Sequence, residues 1–369
     1  MSELRVLVLG GYGFFGCRLV ERLCRLPHIQ ILVAGRSLAS ARAFAQATQG
    51  GTSNRLEGVA LDGDAPSFEG DLRRLAPDVV INVSGPFQGR DYRVPSACIA
   101  ARVHHVDLAD GRDYVSGIHG LQAAALAARV TVISGASSVP ALSSAAADEL
   151  IRDLSIVHSI DIGISPGNRT ERGLSTVRSV LSYCGKPIAG PGNSGTFGWT
   201  GTRRHSYPSP VGTRLLSPCD VPDLDLVPSR YAGNPAVRFG AGLELPFLHR
   251  GMNILAWMAR KGLVADWSRH AVLLKRAADL FRNFGSDAGA MHVRVQGRDG
   301  SGSNVTRTWE LVATHGDGPF VPTLPAAALV RQFQSGVLRP GADPCIGQLS
   351  LADFKRETNG LAIRMEVEL

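Results

Sequence analysis

A run of glycines near the start of the chain has the spacing of a phosphate-binding loop. Gly11, Gly13 and Gly16 form a Gly-x-Gly-x-x-Gly pattern that follows the apolar run Val6–Leu9 and opens a segment with helical spacing of apolar residues. Glycines at such a turn let the backbone approach a pyrophosphate at the amino end of a helix. The pattern therefore predicts a dinucleotide site whose first loop consists of Gly10, Gly11, Tyr12, Gly13, Phe14, Phe15 and Gly16.

The end of the next apolar run indicates which dinucleotide would bind. Ile29–Ala34 has the composition of a buried strand, and Gly35, Arg36 and Ser37 follow it. An NAD site usually carries Asp or Glu about 20 residues beyond the glycines, whereas an arginine there accommodates the 2′-phosphate of NADP. Because a guanidinium and a hydroxyl suit that phosphate, we expect these three residues to bind NADP. An exposed turn arginine without a ligand is the alternative.

Two further strand ends should contribute to the same site, because the carboxyl ends of parallel strands border the ligand crevice. Asp62 follows the apolar run Leu56–Leu61; it either reaches the adenine edge or belongs to a plain turn. The buried-strand pattern Pro77–Ser84 leads into a loop that combines a permissive glycine with a rigid proline. We expect this loop to lie beside the nicotinamide, through Ser84, Gly85, Pro86 and Phe87.

Side chains that could move a proton gather around the end of the fifth apolar run. His105, Asp107 and Asp110 suit general acid–base catalysis, and they equally suit the capping of a helix. In the second half of the chain, Tyr183 and His205 are the candidates. The proton donor of the reaction is therefore expected among these five residues.

Spacing disfavours two other chemistries. Lys186 follows Tyr183 by three positions and a glycine and a proline flank it, so the helical Tyr-x-x-x-Lys pair of short-chain dehydrogenases is absent. The adjacent His104 and His105 would point to opposite faces of a strand. Because no third ligand has fitting spacing, we predict no metal site.

The elements that must position these residues alternate between strand and helix patterns. Helical spacing covers Leu38–Thr48 and Tyr114–Ala128, and the apolar run Val130–Ser134 completes a sixth strand. This alternation is typical of a doubly wound α/β sheet. We predict a Rossmann domain that binds NADP over residues 1–152.

The rest of the chain predicts a second domain of a different class. Ile156–Ser165 alternates between apolar and polar residues, and Met291–Gln296 and Thr306–Ala313 flank a glycine-rich turn. Such patterns indicate an antiparallel sheet. We therefore expect an α+β domain for substrate binding or dimerisation over residues 153–340. Whether the C-terminal segment 341–369 packs back on the first domain is left open. The sequence is also compatible with a homodimer.

Between these strands the pattern is less regular. Glycine and proline are dense from Tyr183 to Pro222, including Gly190–Gly195, and long irregular stretches are commonly functional loops. Trp199 and Arg203 in this region would suit an acidic or polar substrate. Further predicted elements are a strand at 236–243, two helices within 246–284 separated near Gly262, a helix at 326–334 and a strand at 361–368.

Composition narrows the class of protein. The formal charge is +7 with four lysines, but no block of Lys and Arg with interleaved aromatics occurs, so nucleic-acid binding is not expected. The six cysteines show no regular framework, which fits a reduced cytoplasmic protein. Three residues before the first strand leave no room for a signal peptide. Charged residues interrupt Leu245–Leu263, which argues against a membrane span.

Taken together, these motifs resemble the saccharopine-dehydrogenase-like NADP-binding oxidoreductases, particularly bacterial members of uncharacterised substrate. The resemblance is carried by five segments of the first 150 residues, in the same order. They are Gly10–Gly16, Ala34–Ser37, Asn82–Phe87, His105–Asp110 and Gly135–Ser143.

The resemblance implies NADP as cofactor and hydride transfer to or from a carbon of a small molecule that bears nitrogen or oxygen. It does not imply saccharopine as substrate, because the pattern that binds saccharopine has no counterpart in the second domain. Two alternatives stay open at this point. One is a non-catalytic redox sensor that binds NADP and contacts a protein partner, and the other is a protein that docks on a lipid surface through Leu245–Leu263.

Overall fold

The structure is a computed structural model of the chain, and it describes residues 3–189 and 195–368. The predicted loop at Gly190–Gly195 therefore lies almost entirely outside the described residues. Within them the strands are β1 Leu4–Leu9, β2 Ile29–Gly35, β3 Arg55–Ala60, β4 Val79–Asn82, β5 His104–Asp107, β6 Thr131–Ser134, β7 Leu154–Ser165, β8 Arg203–Tyr207, β9 Gly212–Pro218, β10 Ala236–Ala241, β11 Gly289–Asp299, β12 Asn304–Ala313, β13 Gly341–Pro344 and β14 Ile363–Glu368.

Helices connect most of these strands. They are α1 Phe14–Leu23, α2 Leu38–Gln49, α3 Phe68–Leu75, α4 Arg93–Ala101, α5 Arg112–Ser116, α6 Gln122–Ala128, α7 Ser143–Ile151, α8 Leu174–Ser182, α9 Asp223–Leu226, α10 Pro246–Arg260, α11 Ala271–Asp279, α12 Leu324–Ser335 and α13 Leu351–Glu357. Short 3-10 turns lie at Gly117–Leu121, Pro228–Arg230, Trp267–His270 and Gly318–Thr323.

The chain divides into two compact units. The first consists of Met1–Ala141 and Phe320–Leu349, and the second of Leu142–Pro319 and Ser350–Leu369. These bounds differ from the predicted 1–152, 153–340 and 341–369. The difference arises because residues 320–349 return to the first unit, whereas β14 pairs with β12 in the second.

The first unit is built on a parallel sheet of seven strands. Their order is β13-β6-β5-β4-β1-β2-β3, which places β1 at the point where the strand order reverses. Consecutive residues of β1 from Val6 to Val8 are completely buried, so helices cover both faces of the sheet. One face packs on α3 and α4 through Phe68, Leu72 and Cys98. The predicted doubly wound Rossmann domain is confirmed.

The second unit contains a mixed sheet of seven strands in the order β14-β12-β11-β7-β10-β9-β8. β7 pairs in parallel with β10 and antiparallel with β11. The predicted hairpin is confirmed, because β11 and β12 pair antiparallel from Gly289 to Arg298. An α+β class for this unit is likewise confirmed.

The β8–β9 hairpin folds over the face of this sheet. In a flat sheet β8 would lie roughly 19 Å from β11, four strand spacings away. Instead the ring of His205 on β8 stacks on His292 of β11, with 3.6 Å between ring centroids. The sheet therefore curls, and the polar face of β7 and β11 becomes enclosed.

Three local expectations were wrong. The helix predicted over 114–128 is broken into α5, a 3-10 turn and α6, with Gly117 and Gly120 in the interruption. The region up to Pro222, expected to be irregular, contains β8 and β9. The strand β13, which pairs with β6 from Gly341 to Pro344, was not predicted at all. Its sequence Gly-Ala-Asp-Pro has no apolar pattern.

Candidate functional site

The glycine loop joins the end of β1 to the start of α1. Gly10 has φ +85°, and the N–H groups of Gly10 and Gly11 both donate to the carbonyl oxygen of Ala34, at 2.8 and 3.0 Å. A Cβ atom on Gly16 would lie 2.0 Å from the carbonyl oxygen of Gly10. Only glycine fits there, so the helix starts directly against the turn. This is the close approach that a pyrophosphate loop requires.

The amino end of α1 is open to an anion. No side chain caps the helix at Gly13, and its first turn contains no acidic residue. The N–H groups at the start of a helix lack partners within the helix, and together with the helix dipole they favour negative charge. These backbone groups of Phe14, Phe15 and Gly16 fit the cofactor role expected from the sequence.

Tyr12 connects the glycine loop to the end of β2. Its phenolic oxygen accepts the N–H of Ser37 at 2.9 Å, and a Cβ atom on Gly35 would lie 2.4 Å from its ring. Tyr12 therefore holds two of the predicted cofactor loops at a set spacing. The sequence placed Tyr12 in the loop but gave no sign of this contact, because its partner is a backbone group 25 positions away.

Arg36 lies exposed at the end of β2. Its guanidinium makes no hydrogen bond or ion pair with any residue of 3–189 or 195–368. Ser37 begins α2, where its side chain accepts the N–H of Ser40 at 3.2 Å. Asp62 is also exposed, and its carboxylate accepts the N–H of Asp64 at 3.1 Å, which is the geometry of a turn.

The loop after β4 lies beside the glycine loop. A Cβ atom on Gly10 would come within 3.3 Å of the backbone nitrogen of Ser84, and that nitrogen donates to the side chain of Asn82 at 3.0 Å. Gly85 and Pro86 follow at the same edge of the sheet. Phe87 is buried and packs on Tyr114, with 5.4 Å between ring centroids.

The pair of His105 and Asp107 belongs to the interior of the first unit. Both side chains have no exposed surface, and Nε2 of His105 lies 3.2 Å from Oδ2 of Asp107. The other carboxylate oxygen accepts the N–H groups of Ala109 at 3.0 Å and Gly135 at 2.9 Å, and the hydroxyl of Ser134 at 2.9 Å. These contacts assign Asp107 to the turns that end β5 and β6. Both side chains are therefore enclosed, whereas an acid–base residue must reach the substrate.

Asp110 has a different environment. It is half-buried, and its carboxylate accepts from Nε2 of Gln88 at 3.0 Å. The hydrogen bond ties the loop after β5 to the loop that contains Ser84 and Phe87. Asp110 is therefore the candidate acid–base residue of the first unit that retains access to its surface.

In the second unit, His205 belongs to a polar cluster that the hairpin closes. Its Nε2 lies 3.3 Å from Glu310, and its ring stacks on His292 at an interplanar angle of 5°. His292 Nδ1 lies 2.9 Å from the hydroxyl of Tyr207. Across the same face, Arg203 donates to Asp161 at 2.5 Å. Of these residues the sequence identified only His205 as a candidate for proton transfer.

Burial sets the charge states in this cluster. It lowers the pKa of His205 to about 3, helped by the positive charges of His292 and Arg294. Burial alone would raise the pKa of Asp161, but His292, whose Nε2 lies 3.9 Å from its carboxylate, and the positive charge of Arg203 outweigh it, and the pKa is lowered. At neutral pH the cluster thus combines a neutral His205 with an ionised Asp161.

Tyr183, the remaining candidate, is half-buried at the end of α8. Its side chain hydrogen-bonds the buried Cys219, whose pKa burial raises to about 12. Tyr183 and His205 belong to the second unit, and His105, Asp107 and Asp110 to the first. Across the described part of the chain, no group of three His, Cys, Asp or Glu side chains is arranged to hold a metal ion.

Comparison with known proteins agrees with this geometry. Residues 6–133 match the family described as saccharopine dehydrogenase NADP binding domain. This match covers most of the first unit and confirms, for that part of the chain, the resemblance found in the sequence. A comparison with curated proteins gives no match.

Solved structures support the fold of the whole chain. The apo, histidine-tagged saccharopine dehydrogenase (L-Glu forming) from Saccharomyces cerevisiae aligns with a TM-score of 0.67 and 16% identity, over 99% of this chain and 100% of that chain. A protein of gentamicin A biosynthesis in complex with NAD aligns with a TM-score of 0.38 and 15% identity, over 83% of this chain and 72% of that chain. The second score is too low to carry an argument.

Proposed function

We propose that the protein is an NADP-dependent oxidoreductase that transfers a hydride to or from a carbon bearing nitrogen or oxygen in a small molecule. The observation that carries the preference for NADP is Arg36. Its guanidinium is exposed and unpaired among the described residues, directly beyond β2. No acidic residue lies between Gly35 and Ser40 to bind a ribose hydroxyl in its place.

Different residues of the first unit would bind different parts of the cofactor. The N–H groups at the start of α1 would hold the pyrophosphate, and Arg36 with Ser37 would hold the 2′-phosphate. Asp62 would border the adenine. The loop of Ser84, Gly85 and Pro86 would border the nicotinamide, which supplies the hydride acceptor or donor when bound.

The proton that accompanies the hydride needs a side chain with access to substrate. Asp110, Tyr183 and His205 stay as candidates: Asp110 and Tyr183 are half-buried and His205 is buried, whereas His105 and Asp107 have no exposed surface. His205 is neutral at pH 7, since burial lowers its pKa to about 3, and so weak a base is not favoured as the proton acceptor. Arg203 and Arg294 near it would favour a substrate with an acidic group.

The preference for NADP is tested by the Arg36→Ala variant. We expect the Kd for NADPH, measured by fluorescence titration, to rise at least tenfold, because a charge-assisted hydrogen bond contributes about 1.5 to 3 kcal/mol. The Kd for NADH should stay unchanged. The matched control is Arg74→Ala, which removes an exposed charge from the same unit and should alter neither value. Equal losses for both cofactors in Arg36→Ala would contradict the proposal.

A non-catalytic sensor is the second candidate, and the enclosed state of His105 and Asp107 favours it. The two candidates are separated by measuring the oxidation of NADPH in the presence of imines, aldehydes, ketones and enoyl compounds. Reduction of any of these compound classes supports the oxidoreductase. Stoichiometric binding of NADPH without turnover across the panel favours the sensor and leaves the assignment of the cofactor site intact.

A further inference from the structure

The second unit exposes an unusual concentration of apolar side chains between residues 246 and 284, which we call the basic apolar patch. Among the described residues, fourteen large hydrophobic side chains are exposed, and nine of them lie in this segment of 39 residues. They are Phe247, Ile254, Trp257, Leu263, Val272, Leu273, Leu280, Phe281 and Phe284. An exposed apolar surface of this kind marks an interaction site.

Helix α10 directs its exposed residues to one side. Each residue turns a helix by about 100°, so Phe247, Arg250, Ile254, Trp257 and Lys261 fall within an arc of about 80°. All five are exposed. The opposite side of the helix holds the buried His249 and Ala256. The apolar and basic residues of the stripe therefore face solvent together.

The segment that follows α11 continues the surface of α10. The rings of Phe247 and Phe281 lie 5.0 Å apart, and those of Phe281 and Phe284 lie 6.4 Å apart. Between the helices, Nε1 of Trp267 donates to the carbonyl oxygen of Leu255 at 2.8 Å. The rings of Phe247, Phe281 and Phe284 thus form one continuous apolar area.

The net charge of the patch is strongly positive. It contains seven Lys or Arg residues and two Asp residues, a net charge of 7 − 2 = +5, out of +7 for the whole chain. Lys275 pairs with Asp279 at 2.6 Å. The other basic residues are all exposed: Arg250, Arg260, Lys261, Arg269, Arg276 and Arg282.

We propose that the basic apolar patch docks on an anionic lipid surface, with α10 and α11 lying in the plane of the headgroups. Exposed apolar residues, an interfacial tryptophan and a ring of Lys and Arg are the features that such a surface recognises. No helix among the described residues has the length and apolar character to cross a membrane. A symmetric contact between two copies would bring +5 against +5, so charge disfavours a second copy of the chain.

The test uses the full chain with vesicles of phosphatidylcholine, with and without phosphatidylglycerol. We expect sedimentation with the anionic vesicles only, and its loss at about 0.5 M salt. Each basic residue near such a surface contributes about fivefold to binding. The double variant Arg250→Glu with Lys261→Glu should therefore weaken binding at least tenfold. Its matched control, Arg73→Glu with Arg74→Glu in the first unit, should change binding by less than about twofold.

A second pair of variants tests the apolar part. Ile254→Ser with Leu273→Ser should weaken binding about tenfold or more, whereas Leu126→Ser with Val337→Ser, equally exposed in the first unit, should not. The emission of Trp257 should shift to the blue on binding, and Trp257→Phe should remove that shift. Equal binding by patch and control variants, or no binding to anionic vesicles, would overturn the proposal. So would a dimer in analytical ultracentrifugation that the patch variants dissociate, because a second copy would then be the occupant.

Discussion

The two units of this protein place their polar groups in opposite ways. In the first, the site consists mostly of backbone at the ends of parallel strands, and the buried Asp107 beside it has both carboxylate oxygens satisfied. In the second, charged and polar side chains from β7, β8, β11 and β12 meet under a folded-over hairpin. Among the polar atoms buried there, Nε2 of His292 lacks a hydrogen-bond partner among the described residues.

The difference bears on what each unit can do. A backbone cradle binds one kind of ligand with little reorganisation, which suits a cofactor shared by many enzymes. Buried polar side chains with shifted pKa values are typical of sites that carry out chemistry or recognise a particular substrate. The second unit is therefore where we expect specificity to reside.

Removing Asp107 should give the largest effect on stability. The Asp107→Ala substitution leaves the N–H groups of Ala109 and Gly135, the hydroxyl of Ser134 and the ring of His105 without their shared acceptor. Since each buried unsatisfied group costs about 1 to 3 kcal/mol, we expect the free energy of unfolding in urea to fall by about 4 kcal/mol.

Asp110→Ala is the matched control for that measurement. Its carboxylate is half-buried and holds Gln88, so its loss should cost about 1 kcal/mol or less of stability while slowing any NADPH turnover. If Asp107→Ala keeps wild-type stability and loses turnover alone, then Asp107 belongs to the chemistry and not to the framework.

A second prediction concerns Asp223 and the pH dependence of the second unit. Its side chain is completely buried and hydrogen-bonds the hydroxyl of Ser143, and burial raises its pKa to about 6. The folded state thus prefers the protonated form. Its contribution to stability is complete below the ordinary pKa of an aspartate, near 4, and is lost as pH rises through 6.

We therefore expect Asp223→Asn to stabilise the protein at pH 8, by on the order of 3 kcal/mol, and to have a smaller effect at pH 5. Thermal unfolding at the two pH values measures the difference. The exposed Asp225 on the same helix provides the control, because Asp225→Asn should shift Tm little at either pH. A loss of stability in Asp223→Asn at both pH values would mean that the fold requires the charged carboxylate.

The first unit is more predictable from the sequence than the second, because its site is built from backbone at strand ends and not from side chains that meet through tertiary packing. Buried parallel strands such as β1 and β2 are continuous apolar runs, and the glycines between them are required by backbone contacts of the kind seen at Gly16. Both signals are local. The strand ends at Arg36 and Ser84 could therefore be ordered around one cofactor site without any knowledge of tertiary packing.

The polar cluster of the second unit carries no comparable local signal. Asp161 and His292 stand at alternate positions on the side of β7 and β11 that reads as solvent-facing. Their enclosure depends on β8, whose sequence Arg-Arg-His-Ser-Tyr has no apolar period. A hairpin that folds over a sheet is a tertiary event, and the polar alternation of β7 and β11 was the one sign that could have placed these residues on a shared face.

Tyr12 offers the smallest and most specific test of the first unit. The Tyr12→Phe substitution keeps the ring against Gly35 and removes only the oxygen that accepts the N–H of Ser37. One neutral hydrogen bond contributes about 1 kcal/mol, so thermal stability should change little. If the bond sets the spacing between the glycine loop and Arg36, then affinity for NADPH should fall about fivefold, and affinity for NADH, which has no 2′-phosphate to position, should fall less. Equal losses for the two cofactors would mean that Tyr12 supports the pyrophosphate loop alone.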